Sequence, residues 1–346
     1  MNIAVFSDKF SGTLSAIEVL DIVQNKFLDS NINADFFSVT DGGQESTEIF
    51  KGHNFQTHES FEALNCDNSL SVVESLNING SVFFESAQLI GVDSENESMS
   101  INSGCLLEAV QKTKVIGTGG SKTIDFGIGL LSKLGMEFIS NGETIVNPVP
   151  KDFSYIDKIK ATNFKSNLEN KVLSDTQISL LGENSAFDVF GPQKGLSEKD
   201  IEEHKLEVER LITLIDKELV LGLNPTEVNS GAAGGLTFTL NQILGCEIEN
   251  GAKYFLKETN LINQLGNYEI GIFCEGKFDE SSLEGKIIGE LLKNFKGRRY
   301  FLGGQYTAKN EDIFTGYFQC GPEGVNDPKN SLEIATNGLI KEIQKH

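Results

Sequence analysis

At 346 residues the chain is longer than one hydrophobic core comfortably serves, so two domains are expected. Its 39% hydrophobic and 9% aromatic content, with 24 Phe and no Trp, fits a globular protein and excludes a disordered or collagen-like one. The 50 Asp and Glu against 29 Lys and Arg leave a net charge of −21, which repels nucleic acid and anionic membranes and excludes both as expected partners.

In chain order, Met1 to Phe6 enters a strand directly, without the basic stretch and apolar core of a signal peptide, so a cytoplasmic protein is expected. The strand runs into the turn Ser7–Gly12, and Ser15 with Glu18 forms a capping box for a helix ending near Phe27. Residues 114–116 read as a second strand, followed by the turn Gly117-Thr118-Gly119-Gly120-Ser121. The apolar positions Ile128, Leu131 and Leu134 then carry a helix to Gly135. Residues 142–170 are polar, contain Pro148 and Pro150, and read as a connection or peripheral hairpin. Ser197 to Leu221 reads as a long charged helix with Ile201, Val208, Leu211, Ile212 and Ile215 as its apolar stripe. Residues 229–236 form a run of small residues leading into a helix-like segment through Leu240 and Ile243. Residues 269–273 read as a strand entering Cys274–Asp279, with a helix from about Leu283 to Lys293; a final helix spans 331–345. Strand, glycine turn and helix in repeated succession predict an α/β protein with a largely parallel sheet, whose ligands bind in loops at the carboxyl ends of strands.

Cys66, Cys105, Cys246, Cys274 and Cys320 are scattered without a CxxC pair, which predicts buried free thiols and argues against zinc. His53, His58, His204 and His346 lack any nucleophile motif, so each is expected at the surface or in core packing. The turn at 117–123 places backbone amides and a hydroxyl at a helix start, an arrangement that suits an anion, although it is not a Walker A loop. The small residues of Gly231-Ala232-Ala233-Gly234-Gly235-Leu236 allow either a ligand or another backbone to approach closely. Phe190-Gly191-Pro192-Gln193-Lys194-Gly195 is a rigid turn that aims one cation, or exposes an ordinary one. The carboxylates Asp8, Asp41, Asp125, Asp175, Glu275 and Asp279 are turn-formers or metal and base candidates, and their repeated place just after a strand favours the second. Lys9, Lys122, Lys194 and Lys277, with Lys286 close behind, put positive charge in the glycine turns of an acidic chain, as anionic substrates require.

Taken together these segments resemble the type I glycerate kinases, which phosphorylate D-glycerate with ATP and Mg²⁺. Ser7-Asp8-Lys9-Phe10-Ser11-Gly12-Thr13-Leu14-Ser15-Ala16 stands where that family has PDSFKGSLSA, and Thr40-Asp41-Gly42-Gly43-Gln44-Glu45-Ser46 where it has ADGGEGT. Residues 117–127 stand for GxGGSATNDGG. FGPQKG is unbroken at 190–195, GAAGGL is unbroken at 231–236, and residues 274–286 match GEGxxDxQTxxGK. The order holds from residue 7 to 286. Departures fall at Ser11, Gln44, Ile124, Ile178, Ser179, Lys277 and Ser281, where the family has a longer or differently shaped polar group, or Asn-Pro.

The resemblance implies an α/β fold of two domains. One is a flavodoxin-like parallel-sheet domain built from both chain ends, residues 1–65 and 265–346; the other is an inserted mixed α/β domain, residues 66–264. It implies an ATP-dependent, Mg²⁺-requiring kinase of D-glycerate with 2-phosphoglycerate as product. Asp41, Glu275 and Asp279 are the candidate Mg²⁺ or hydroxyl-orienting groups, Lys194 and Lys286 the candidate catalytic cations, and Asp175 the candidate general base. Asp8, Gly117, Gly119, Gly120, Ser121, Gly234 and Gly235 are the candidate phosphate- or substrate-binding residues. The lost amides keep two alternatives open: a catalytically weak relative that binds a nucleotide or acid, and a kinase of another small hydroxy acid. A homodimer also stays open.

Overall fold

The computed structural model describes residues 2–165, 168–174 and 176–345, and His346 lies outside them. Its strands are β1 (Ile3–Ser7), β2 (Asp35–Ser38), β3 (Gln56–Leu64), β4 (Leu70–Ile78), β5 (Ser81–Glu85), β6 (Val115–Gly117), β7 (Glu137–Ser140), β8 (Glu143–Thr144), β9 (Lys158–Lys160), β10 (Lys171–Ser174), β11 (Glu247–Asn250), β12 (Ile270–Phe278), β13 (Arg298–Tyr306) and β14 (Gly316–Gln319). They divide between two compact units, one holding residues 1–41, 48–54 and 251–346, the other residues 42–47 and 55–250.

In the first unit the sheet order is β14-β13-β12-β1-β2, every pair parallel. Counted in chain order within the unit this is 2-1-3-4-5, the flavodoxin-like winding, whose direction reverses between β1 and β12. All five residues of β1 are buried, as a central strand covered on both faces requires. Ile3 and Val5 face one way and pack with Val19, Val23 and Phe27 of the helix Ala16–Asp29 and with Leu332, Leu339 and Ile343 of the helix Pro328–Ile343. Phe6 faces the other way, its ring 5.3 Å from that of its cross-strand partner Phe273 and 6.2 Å from that of Phe295. The helix Ala16–Asp29 begins at the expected box: Ser15 Oγ accepts from the Glu18 N–H at 3.1 Å while the Glu18 carboxylate accepts from the Ser15 N–H at 3.0 Å.

In the second unit a six-stranded sheet runs β11-β10-β6-β5-β4-β3, parallel from β11 to β5 and antiparallel through β4 and β3. The expected long helix is Glu198–Leu219, and all five residues of its predicted stripe are buried. The polar stretch around Pro148 and Pro150 contributes to a small antiparallel sheet, β8-β7-β9, so it is more ordered than a connection. Both changes of unit fall upstream of the expected breaks after 65 and 264. β3 pairs with β4 along its length and so belongs with the insertion. The helix Gly251–Glu258 places the Phe255 ring 5.3 Å from Phe50 and 5.0 Å from His53, which ties it to the chain-end unit. All five cysteines are free, with Cys66, Cys246 and Cys274 buried as expected and Cys105 and Cys320 half-buried.

Ser15→Ala removes the side-chain acceptor of the Glu18 N–H in the first turn of this helix. It is expected to lower unfolding free energy by about 1 kcal/mol with an unchanged denaturant slope, as read in urea melts.

Candidate functional site

Acidic residues gather at the carboxyl ends of the central strands in the first unit. β1 and β12 are in register from Ile3 opposite Ile270 to Ser7 opposite Cys274, and the next N–H, that of Asp8, donates to the Cys274 carbonyl at 3.0 Å. Because side chains alternate along a strand, Asp8 and Glu275 both follow the face of the Phe6–Phe273 pair, two residues further on. Glu275 is only 5% exposed. Its Oε1 accepts from Ser282 Oγ at 2.8 Å, while its Oε2 is buried with no hydrogen-bond partner among the described residues. Burial, reinforced by the charge of Asp8, pushes the Glu275 carboxyl up to about 8. Burial and the charge of Asp41 push Asp8 up to about 7, although Lys9, whose N–H donates to Asp8 Oδ1 at 2.8 Å, and Lys286 oppose this. Lys286 begins the helix Ile287–Asn294, and its positive charge acts on Asp8, Glu275 and Asp279 together.

Asp279 is arranged differently. It caps the short helix Glu280–Leu283, accepting from the Ser281 N–H at 2.9 Å and from Ser281 Oγ at 2.6 Å, and it pairs with Lys277 Nζ at 3.2 Å. Partial burial pushes its carboxyl up, but the Ser281 and Lys277 hydrogen bonds prevail and hold it below the usual carboxylate range. Among the described residues no group of three or more His, Cys, Asp and Glu side chains is placed to hold a metal ion. Asp41, Glu275 and Asp279 therefore do not by themselves make a closed metal cage.

The second unit holds the glycine turns. Gly117, at the end of β6, is buried so closely under residue 42 that a Cβ there would lie 2.2 Å from the Gly42 carbonyl oxygen; one on Gly119 would lie 2.6 Å from Gly43 Cα. The Asp-Gly-Gly turn thus rests on the Gly-Thr-Gly-Gly turn, backbone against backbone. Its far end is fixed by Glu85, whose carboxylate accepts from the N–H groups of Glu45 and Thr47, both at 2.9 Å. Half-buried Gly119 and Gly120, the latter at φ +76°, precede Ser121, and no described residue accepts from the N–H of any of these three. Such a run of free amides is a concavity suited to an anion.

Beyond it the chain is locked. Asp125 is fully buried and accepts from Ser103 N, Ser103 Oγ, Thr123 Oγ1, Gly127 N and Gly129 N at 2.7–3.1 Å. It is a structural carboxylate rather than a metal or base candidate. The Thr123 carbonyl accepts from Lys194 Nζ at 2.8 Å, the Ile124 carbonyl meets His204 Nε2 at 2.9 Å, and the Phe126 carbonyl accepts from Thr239 Oγ1. Lys194, expected as a catalytic cation, is buried and tethers the loop; burial pushes its amine down to about 7 against the pull of Asp125. Lys122 donates to the Ser94 carbonyl and does not supply free charge to its turn. Gly234 (φ +61°) and Gly235 (φ +91°) are buried, with room for no Cβ: one on Gly234 would lie 2.0 Å from the Thr123 carbonyl oxygen, one on Gly235 2.6 Å from Phe126 Cβ. The Gly-Ala-Ala-Gly-Gly run is therefore close packing against the locked loop. His204 is likewise a core residue, stacked 5.5 Å from Phe153 and edge-on at 4.7 Å to Phe187. Asp175 lies outside the described residues. Glu85, Ser103 and Ser282, none of them singled out in sequence, do much of the positioning, and their partners lie 7 to 40 residues away.

The chain matches the model of the glycerate kinase family over residues 3–327. It is 26% identical to the glycerate kinase of Bacillus subtilis (strain 168) over 310 residues, 83% of this chain and 79% of that one. It is 26% identical to the glycerate 2-kinase of Escherichia coli (strain K12) over 311 residues, 83% of this chain and 80% of that one. A crystal structure from Salmonella typhimurium LT2 assigned to glycerate kinase 2 shares the fold, with a TM-score of 0.71 at 20% identity over 100% of this chain and 98% of that one.

Burial holds His204 down to about 4 from an ordinary 6.5, against its hydrogen bond to Ile124 and the charge of Asp125. A depressed folded value means the neutral ring's contribution is complete above pH 6.5 and is lost as pH falls toward 4. Urea melts across that window should show wild-type stability falling by up to about 1.4 kcal/mol per pH unit more steeply than His204→Gln.

Proposed function

The chain belongs to the glycerate kinase family, a family of small-molecule kinases, and from that premise we propose that it transfers the γ-phosphoryl group of ATP to a hydroxyl of D-glycerate, giving 2-phosphoglycerate. The observation that carries this reading is the acidic group with Lys286 at the point where the 2-1-3-4-5 sheet reverses direction, the place where open α/β sheets take their ligands. Phosphoryl transfer requires little covalent chemistry from the protein and much positioning and charge compensation.

The residues fit Mg²⁺ held together with ATP. This ion takes one or two carboxylates and completes its shell with water and phosphate oxygens, and the partnerless Oε2 of Glu275 is an acceptor of that kind. Asp41, Glu275 and Asp279 are the carboxylates first expected to hold it. When bound with ATP it neutralises charge on the β- and γ-phosphates.

The remaining roles belong to the chain. Lys286 supplies a cation for a phosphate or for the acid's carboxylate, and the free amides of Gly119, Gly120 and Ser121 cradle an anionic oxygen. Lys194 with Asp125 keeps that cradle's flank fixed. Asp175 is the proposed base, accepting the hydroxyl proton as the new O–P bond forms and the β–γ bridge breaks. The cytoplasm, where ATP and a reducing environment coincide, is the proposed location.

Purified protein with ATP, Mg²⁺ and D-glycerate should release ADP, and ³¹P NMR should identify 2-phosphoglycerate as the product. Lys286→Ala should lower kcat/KM about a hundredfold, the usual consequence of losing one charge-stabilising donor. Calorimetric binding of ATP without turnover on glycerate or related hydroxy acids would show a binding protein instead of a kinase.

A further inference from the structure

Resting on the kinase reading, we infer that the divalent cation is seated by Asp8 and Glu275, and that Asp279 is a positioning residue that holds Glu275 through Ser282. The sheet itself brings the first two together. Ser7 is paired with Cys274, so Asp8 and Glu275 are level neighbours on adjacent parallel strands and follow the same face as Phe6 and Phe273. Two neighbouring carboxylates repel each other, and one of their oxygens, Glu275 Oε2, is buried without a donor among the described residues. Lys286 contributes charge to the cluster but no hydrogen bond to that oxygen.

A hard cation resolves both defects, since it draws the two carboxylates together and gives Oε2 a partner. The donors are oxygens only, which suits Mg²⁺ or Mn²⁺ rather than zinc. Cys274 faces the opposite side of the sheet, in the cluster with Val5 and Leu302.

Asp279 has no such freedom. Its oxygens engage Ser281 and Lys277, and its own N–H donates to Ser282 Oγ at 3.2 Å. Ser282 Oγ in turn donates to Glu275 Oε1 at 2.8 Å, so the cap on Glu280–Leu283 aims the Glu275 carboxylate. Asp41 follows β2, which pairs with the edge of β1 opposite to that taken by β12. Its charge acts on Asp8 and adds to the field of the seat.

Titration of the full chain with Mn²⁺ alone, followed by the EPR signal of the free ion, separates these roles. Wild type should take up one ion. Asp8→Asn and Glu275→Gln should each weaken uptake at least about tenfold. Asn caps a helix as well as Asp does, so Asp279→Asn should bind nearly as wild type. Asp279→Ala and Ser282→Ala should weaken binding by about threefold to tenfold, with Ser282→Thr restoring it. Melting curves check folding: Mn²⁺ should raise the Tm of wild type and Asp279→Asn but leave that of Glu275→Gln unmoved. Failure of folded wild type to take up Mn²⁺, wild-type affinity in Asp8→Asn, or a loss in Asp279→Asn equal to that in Glu275→Gln would each overturn the assignment. Uptake in this pattern without turnover of glycerate would leave the seat standing and remove only the kinase reading.

Discussion

The pairing of β1 with β12 is the constraint on which the first unit depends. It joins the beginning of the chain to a segment starting at residue 270, closes the 2-1-3-4-5 sheet at its reversal, and sets Asp8 level with Glu275. A slip of one residue in this register would turn one of the two carboxylates to the opposite face. The apolar pair Phe6 and Phe273 makes such a slip costly, because one of the two rings would leave a packed aromatic cluster with Phe295. Core packing thereby fixes the geometry of a polar site that the core itself does not contain.

The second unit obtains rigidity by another route. Its turns carry few side chains capable of packing, so their carbonyls are held one by one, by Lys194, His204 and Thr239, while Asp125 gathers five donors. A satisfied buried network of this kind specifies a single loop conformation, because removing any member leaves another without its partner. The glycines that resemble a ligand-binding signature mostly allow turn to lie on turn. The amides of Gly119, Gly120 and Ser121 find no acceptor among the described residues.

Much of this fold was legible in the residues. The capping box at Ser15 and Glu18, the stripe of the helix Glu198–Leu219 and the glycine turns after β1 and β6 are local patterns, and local patterns survive in one dimension, whereas the turn expected at Cys274–Asp279 is strand as far as Phe278 because that segment pairs with β13. The hairpin of β3 and β4 was not legible: β3 is exposed along most of its length, so the alternation that betrays a half-buried strand is missing. Within the site, Glu275 could be picked from its glycine-bearing motif, although it lies inside β12 opposite Gly303. Asp279 is ambiguous in one dimension, because an aspartate that caps a helix and one that binds a metal look alike in sequence. Lys194 sat in a turn that reads as exposed, and only the tertiary contact with Thr123 buries it. Glu85 and Ser103 carried no sequence signal, since their partners are set by strand pairing and loop closure.

The discontinuity of the first unit also bears on how the protein is made. β1 leaves the ribosome well before its neighbour β12, which begins only at residue 270, although every residue of β1 is destined for burial. At ordinary synthesis rates of about 5–20 residues per second, that wait is on the order of tens of seconds. The one earlier partner is the short strand β2, and two strands alone are marginal in water. The insertion, residues 55–250, is continuous and has its own core, so it has the whole of its sequence in hand before β1 can be completed. The apolar Ile-Ala-Val-Phe segment therefore lacks its β12 neighbour until the insertion has been made, so the sheet of the first unit closes after the insertion is complete.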